Sequence, residues 1–361
     1  MILKTKTSGE AEGISTFKQT YRKTVVKRVS FIIICIIACF LVMIYSATLG
    51  SYNISAGEVY QIIWNAITGQ AQSDPTAAHI VINLRLPRIL GALVCGFALA
   101  VCGTAMQSMM KNPLADPYTM GISSGAGFGA ALAIILGFEL VSGGGVVVNA
   151  FIFATIPALV ILFLSKFRKA TPTMMILCGI SLMYLFNALT QLFMLIADPE
   201  DLSAVYSWMV GSLDGIDFNE LLIVLIITVS GSIYVQYMAN QLNIMGIGDE
   251  SAKTLGVNVD RKRLVVLMVI TLMAAAVVSF TGIIGFVGLV APHIARAIIG
   301  ADNKYLIPGS AVFGALLLLV SDIIARTITA PLMLPVGVIT ACIGGPLFMF
   351  LILRNNKEIW S

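Results

Sequence analysis

The chain has 361 residues, 58% of them hydrophobic and only 11% charged, with a formal net charge of +4. A mean hydropathy of +0.95 excludes a soluble domain of this length, and the modest charge gives no footing for a nucleic-acid partner. A spanning helix takes about 20 apolar residues, so the runs from Phe31 to Leu353 fit an all-α polytopic membrane protein with about ten transmembrane helices.

Residues 1–30 form a basic tail carrying Lys4, Lys6, Lys18, Arg22, Lys23, Lys27 and Arg28. The apolar run Phe31–Leu49 is long for a signal sequence and lacks a small-residue cleavage site, so it is expected to be a retained first helix. Gly50–Leu86 is expected outside, with a short amphipathic helix over Ser55–Ala66. The second span, Pro87–Met110, repeats small residues at Ala92, Gly96, Ala100 and Thr104, a ridge that admits a close neighbour. Lys111–Pro117 reads as a tight cytoplasmic turn. The third span, Tyr118–Phe138, carries a second ridge at Gly121, Gly125, Gly129 and Ala133, and Gly143–Gly145 is an external turn.

The fourth span, Val146–Ser165, ends at the basic cluster Lys166, Arg168 and Lys169. The fifth, Met174–Ala197, sets Tyr184, Asn187 and Gln191 on one face. An acidic external segment follows, with a short helix at Ser203–Val210. The sixth span is Leu221–Tyr237, and Ala239–Arg263 is then the longest internal polar segment after the tail, with a cytoplasmic segment at 242–259 inside it. The remaining spans are Leu264–Thr281, Ile284–Ile299, Leu306–Ala325 and Pro335–Leu353, and residues 354–361 close the chain in the cytoplasm. The single membrane domain is therefore 31–353.

With both ends inside, every one of the 22 lysines and arginines except Arg85, Arg88 and Arg326 falls on the cytoplasmic side. That asymmetry is the positive-inside rule, and shifting one span destroys it. Spans two to five start outside and seven to ten start inside, the arrangement of an inverted repeat if the two blocks are related.

Three places offer chemistry. Arg85 and Arg88 lie at the outer start of span two and Arg326 at the outer end of span nine; arginines there either snorkel to the headgroups or, as planar forks, receive carboxylates. Leu242–Val259 reads as two helical pieces broken at Gly246 and Gly248, with Gly256 as a stop. Its own apolar residues, Ile244, Met245, Ile247 and Leu255, look for a partner surface. Asp322, the one acid inside a span, has Arg326 four residues on, in the favourable acid-first order. The six cysteines all lie in apolar runs and two distant histidines make no metal cluster, so no metal site and no catalytic set is expected.

Particular motifs resemble the FecCD-type permease family, the membrane subunits of ABC importers for iron–siderophore, haem and cobalamin. They are LRLPR at Leu84–Arg88, the stretch Gly103–Gln107, NPLADP at Asn112–Pro117, GISSGAG at Gly121–Gly127 and GLVAPHIAR ending at Arg296. Gly248, Asp249, Ala252, Leu255 and Gly256 are similar to the family's coupling-helix pattern. The resemblance implies a multi-pass protein of the cell membrane, taking up iron–siderophore or a related chelate, with cobalamin and haem as alternatives. It implies an extracytoplasmic binding protein docking on Arg85, Arg88 and Arg326. It also implies a cytoplasmic ATPase subunit engaging Gly248, Asp249, Glu250, Ala252, Lys253, Leu255 and Gly256. His293 would be a cytosolic-gate or ATPase-contact residue. A second permease copy, identical or not, would complete a path near Tyr184, Asn187, Gln191 and Thr340, with Gly337, Ala341 and Gly345 as its small face.

No P-loop occurs in the chain, so ATP and magnesium belong to the partner and no cofactor binds directly. The rival from another class is an ion-coupled secondary transporter using Asp322 as its carrier.

Overall fold

The computed structural model describes residues 3–354 other than 51, 53, 142–144 and 331; for 3–18, 351, 352 and 354 it describes the backbone alone. The tail from 355 onward, and most of the turn expected at Gly143–Gly145, fall outside the described residues. Within them every regular element is helical. Seven helices are long and apolar enough to cross a bilayer: Gln19–Thr48, Pro75–Met110, Gly145–Leu164, Pro172–Ile196, Phe218–Tyr237, Val259–Thr281 and Asn303–Thr327. Three shorter apolar helices, Ile122–Leu136, Val287–Ile299 and Val336–Phe350, stand where the third, eighth and tenth spans are expected.

In chain order the first elements are α1 (Leu3–Thr48), α2 (Ala56–Thr68), α3 (Pro75–His79), α4 (Leu86–Met110), α5 (Ile122–Leu136), α6 (Gly145–Leu164) and α7 (Pro172–Ile196). They are followed by α8 (Pro199–Met209), α9 (Phe218–Tyr237), α10 (Ala239–Ile247), α11 (Asp249–Thr254), α12 (Val259–Thr281), α13 (Val287–Ile299), α14 (Asn303–Thr327) and α15 (Val336–Arg354). The amphipathic helix expected at Ser55–Ala66 is α2, started by a capping box in which Ser55 and Glu58 satisfy each other's backbone N–H. The second span begins earlier than expected. Pro87 has no N–H to donate, and the chain runs from α3 through a π-helical turn, Ile80–Arg85, into α4.

Helix α4 is the central post, and small residues decide what crosses it. Gly96 faces the Gly314 carbonyl and Ala315 of α14, and Gly314 in turn faces Ala100. The expected small-residue ridge is therefore a helix–helix contact, and backbones approach closely only because neither side carries bulk. Lower on α4, Gly103 presses against the backbone of Gly288 in α13, the tightest approach on this helix. On α5, Gly125 and Gly129 each face a carbonyl of α6, those of Phe153 and Asn149. By contrast α1 lies at the periphery, exposing Ile33, Ile34, Phe40 and Leu41 as lipid-facing side chains.

The turn expected at Lys111–Pro117 lies at the surface only in its first half: Leu114 is 52% exposed, whereas Ala115, Asp116 and Pro117 are buried. Lys111 ends α4 in the left-handed region (φ 52°), and the chain then folds back into the protein. The Asp116 carboxylate, 5% exposed, borders Gly288 beside the Leu99 carbonyl, about three turns in from the end of α4. Asp116 also caps a 3-10 turn, Pro117–Met120, by accepting from the Tyr118 N–H at 2.7 Å. Asp322 is thus not the one acid at depth. Non-helical backbone is tolerated there because protein surrounds it. This re-entry shortens α5 to 15 residues, about 22 Å.

The link between α12 and α13 does the same. Gly282 (φ 68°) lies against the Trp208 carbonyl, and Phe286, itself at φ 68°, places its ring on Gly344 of α15. The eighth helix therefore starts at Val287 rather than Ile284.

Candidate functional site

At the end of the bundle expected outside, the π-helical turn and α4 bring Arg85 and Arg88 beside Arg326 of α14. All three line a cavity of about 340 Å³ together with Tyr52, Asn83, Asp214, Asp217 and Met333. None stands as a free cation: their exposures are 5%, 6% and 7%. Arg85 donates to the carbonyls of Ala47 (2.9 Å) and Tyr52 (2.6 Å), holding the end of α1. Arg88 donates Nε–H to Asp322 at 2.7 Å, and its Nη1 pairs with Asp214 in the α8–α9 loop. Arg326 Nε contacts the other Asp322 oxygen at 2.9 Å, an ion pair without hydrogen-bond alignment, and its Nη2 donates to Ser46.

Asp322 itself is fully buried between the two guanidiniums. The expected Asp322–Arg326 pair is present, and Arg88 closes it from another helix. That third member was not foreseen, and neither was Asp214, which the sequence shows only as one of several external acids.

At the opposite end, α10 and α11 form the segment expected over Leu242–Val259. The break is at Gly248 alone; Gly246 is an ordinary residue of α10 with open space where a side chain would start. Gly256 (φ 81°) stops α11 as expected, with the Val257 N–H donating back to the Ala252 carbonyl at 3.0 Å.

The segment has two faces. Leu242, Met245 and Ala252 are buried against the bundle, whereas Ile247 and Leu255 are 72% and 62% exposed, with Glu250 between them. Met245 and Ala252 thus pack inward, contrary to the expectation that they meet a partner. Asn243 ties α10 to the start of α14, donating to Asp302 at 2.9 Å and accepting from the Asn303 N–H at 2.9 Å. Arg28 of α1 bonds the same Asp302, and Ser108 of α4 donates to Asn303.

Asp249 also faces inward. It accepts from Arg263 through both oxygens, at 2.9 and 3.0 Å, and pairs with Lys111 at 3.0 Å. Burial pushes its carboxyl up, but the hydrogen bonds and charges of Arg263 and Lys111 outweigh that and hold it below the usual carboxylate range. Arg263, which the sequence shows only as one cytoplasmic positive among many, is fully buried. It donates to the carbonyls of Met109 and Ala170 as well.

Between the two ends, Tyr184 and Gln191 of α7 are exposed and Asn187 is half-buried. Thr340 is buried and donates to the Gly337 carbonyl of its own helix. On α15 the close approach to Phe286 is made by Gly344 rather than Gly345. His293 is buried with its ring edge-on to Phe348 at 5.6 Å, and Arg296 on the same helix is buried as well. No group of three or more His, Cys, Asp or Glu side chains suited to a metal exists among the described residues.

With seven described helices long and apolar enough to cross a bilayer, the chain is a multi-pass protein of the cell membrane. The chain belongs to the FecCD transport family, whose model matches residues 35–354. It is 42% identical over 351 residues to the putative ABC transporter permease protein MJ0087 of Methanocaldococcus jannaschii, covering 94% of this chain and 99% of that one. It is 39% identical over 322 residues to the hemin transport system permease protein HmuU of Yersinia pestis, covering 88% and 95%. Among solved structures it is similar to an inward-facing putative metal-chelate type ABC transporter, with a TM-score of 0.80 and 30% identity over 90% of this chain and 99% of that one. The family is one of transport permeases rather than catalysts.

Proposed function

We propose that this chain is the permease subunit of an ATP-driven importer for iron–siderophore or a related metal chelate, with haem and cobalamin as the alternative cargoes. Ten spans, both termini in the cytoplasm and an inverted repeat complete the reading; the short α5 and α13, each second in its block and each preceded by a re-entrant link, support the repeat. A separate subunit hydrolyses ATP with magnesium. A binding protein delivers cargo to the outer cavity, where its carboxylates reach Arg85, Arg88 and Arg326. A second permease copy, identical or not, meets the open face of α7 to enclose a path past Tyr184, Asn187, Gln191 and Thr340.

The observation that carries this reading is the inner segment. A cytoplasmic helix pair rooted in the bundle and presenting Ile247 and Leu255 outward has the form of a plug for a groove on another protein. Gly248, Glu250, Lys253, Leu255 and Gly256 then make the ATPase surface. A carrier driven by an ion gradient needs an acid that is not locked into ion pairs, whereas Asp322 is paired with both Arg88 and Arg326.

Replacing Ile247 and Leu255 together by glutamate tests the reading. Each is an exposed anchor, so the pair should weaken binding of the ATPase subunit by on the order of a hundredfold while leaving the unfolding temperature of the permease unchanged. Undiminished binding would move the contact elsewhere.

A further inference from the structure

Asp249 belongs to the pattern that resembles a coupling helix, yet its carboxylate is engaged within the permease by Arg263 and Lys111. From its ion pairs we infer that Asp249, with Lys111 and Arg263, is a positioning joint inside the permease, passing movement of α11 to the inner ends of α4 and α12. The inference rests on the ATP-driven reading above.

The geometry supports a joint better than a contact. Arg263 is clamped on three sides: to Asp249, to the Ala170 carbonyl at 2.8 Å before α7, and to the Met109 carbonyl at 3.4 Å in the last turn of α4. Lys111, the residue that ends α4, grips the same carboxylate. One carboxylate therefore links α11 to the last turn of α4, the first turns of α12 and the strap leading into α7.

Alanine and leucine contacts slide, but a buried guanidinium whose Nη2 reaches both carboxylate oxygens while its Nε and Nη1 hold two backbone carbonyls fixes direction. Beneath this joint, Lys111 opens the re-entrant link whose Asp116 borders Gly288 of α13. A shift of α11 thus has a continuous polar and backbone route to the short helix at mid-depth. Ala252, three residues on from Asp249, is fully buried and adds no polarity.

The test uses the full-length permease bound to its ATPase subunit in lipid nanodiscs, with hydrogen exchange followed by mass spectrometry in ATP and in ADP. For Asp249→Asn we expect ATPase binding to stay close to that of the parent chain, since Ile247 and Leu255 are untouched. The nucleotide-dependent change in exchange should persist in α10 and α11. In residues 104–111 and 263–270 it should fall by about fivefold or more. Asp249→Glu should restore most of it, and Lys111→Met, which leaves Arg263 in place, should lower it by a smaller factor.

Loss of ATPase binding by Asp249→Asn alone would make Asp249 a contact and overturn the joint. Unchanged transmission in both Asp249→Asn and Lys111→Met would overturn it too. If Asp249→Asn fails to fold, Lys111→Met, a half-exposed surface change, decides by the same two readouts. Failure of the unaltered permease to bind any ATPase subunit would remove the ATP-driven reading, and the joint with it.

Discussion

Leucine in place of Asp322 should cost the folded protein about 3–5 kcal/mol, the typical penalty for removing one partner of a buried ion pair. The carboxylate is fully buried and serves Arg88 and Arg326 together. Without it two guanidiniums remain desolvated; Arg88 keeps Asp214 and Arg326 keeps Ser46, and neither substitute neutralises both charges. The second-site variant makes the case specific. Asp322→Leu combined with Arg326→Leu should be more stable than Asp322→Leu alone, because the stranded charge is gone and apolar packing of similar volume replaces the pair. Unfolding temperatures in one detergent measure this, and equal temperatures for the single and double variants would show that the knot is not the source of the loss.

A comparable effect is expected at Gly103. A methyl group there would overlap the carbonyl and Cα of Gly288, and both obstacles are backbone. Relief requires α4 and α13 to part, and α4 is the helix around which the bundle is built. Gly103→Val should therefore cost about 3 kcal/mol or more, at or beyond the upper end for overpacking, and prevent recovery of folded protein from the membrane. Gly246→Ala is the control, with open space at the new methyl and a helical position that favours alanine by roughly 0.5–1 kcal/mol. Normal yield of Gly103→Val would contradict the packing described here.

The parts of this molecule legible from its sequence were those written in local spacing. Small residues every fourth position in α4 announced a crossing, and Gly96 against Gly314 is that crossing. Asp322 and Arg326 declared their pairing because four residues make one helical turn. The Arg88–Asp322 bond spans 234 positions, and no pattern within either helix points to it. The direction of Asp249 was hidden for a like reason. Which face of a short helix turns inward is decided by Arg263, which lies in the following helix and reads as one of many cytoplasmic positives.

The re-entrant link shows a different limit. Asn, Pro and Asp build the same turn in water or inside protein, so NPLADP signalled a turn without its depth. Family resemblance identified the class correctly, yet the arginines it implies for docking are members of an internal network as well as the lining of a cavity.

Reconstitution in sealed lipid vesicles tests the whole account most directly, with ferric hydroxamate and hemin as the probes and a proton gradient imposed in parallel. The bundle alone should accumulate neither chelate, with or without that gradient. Concentrative uptake of one of them should appear when the ATPase subunit, ATP on the cytoplasmic side and a chelate-loaded binding protein on the other are all supplied. Accumulation by the bundle alone would contradict the account.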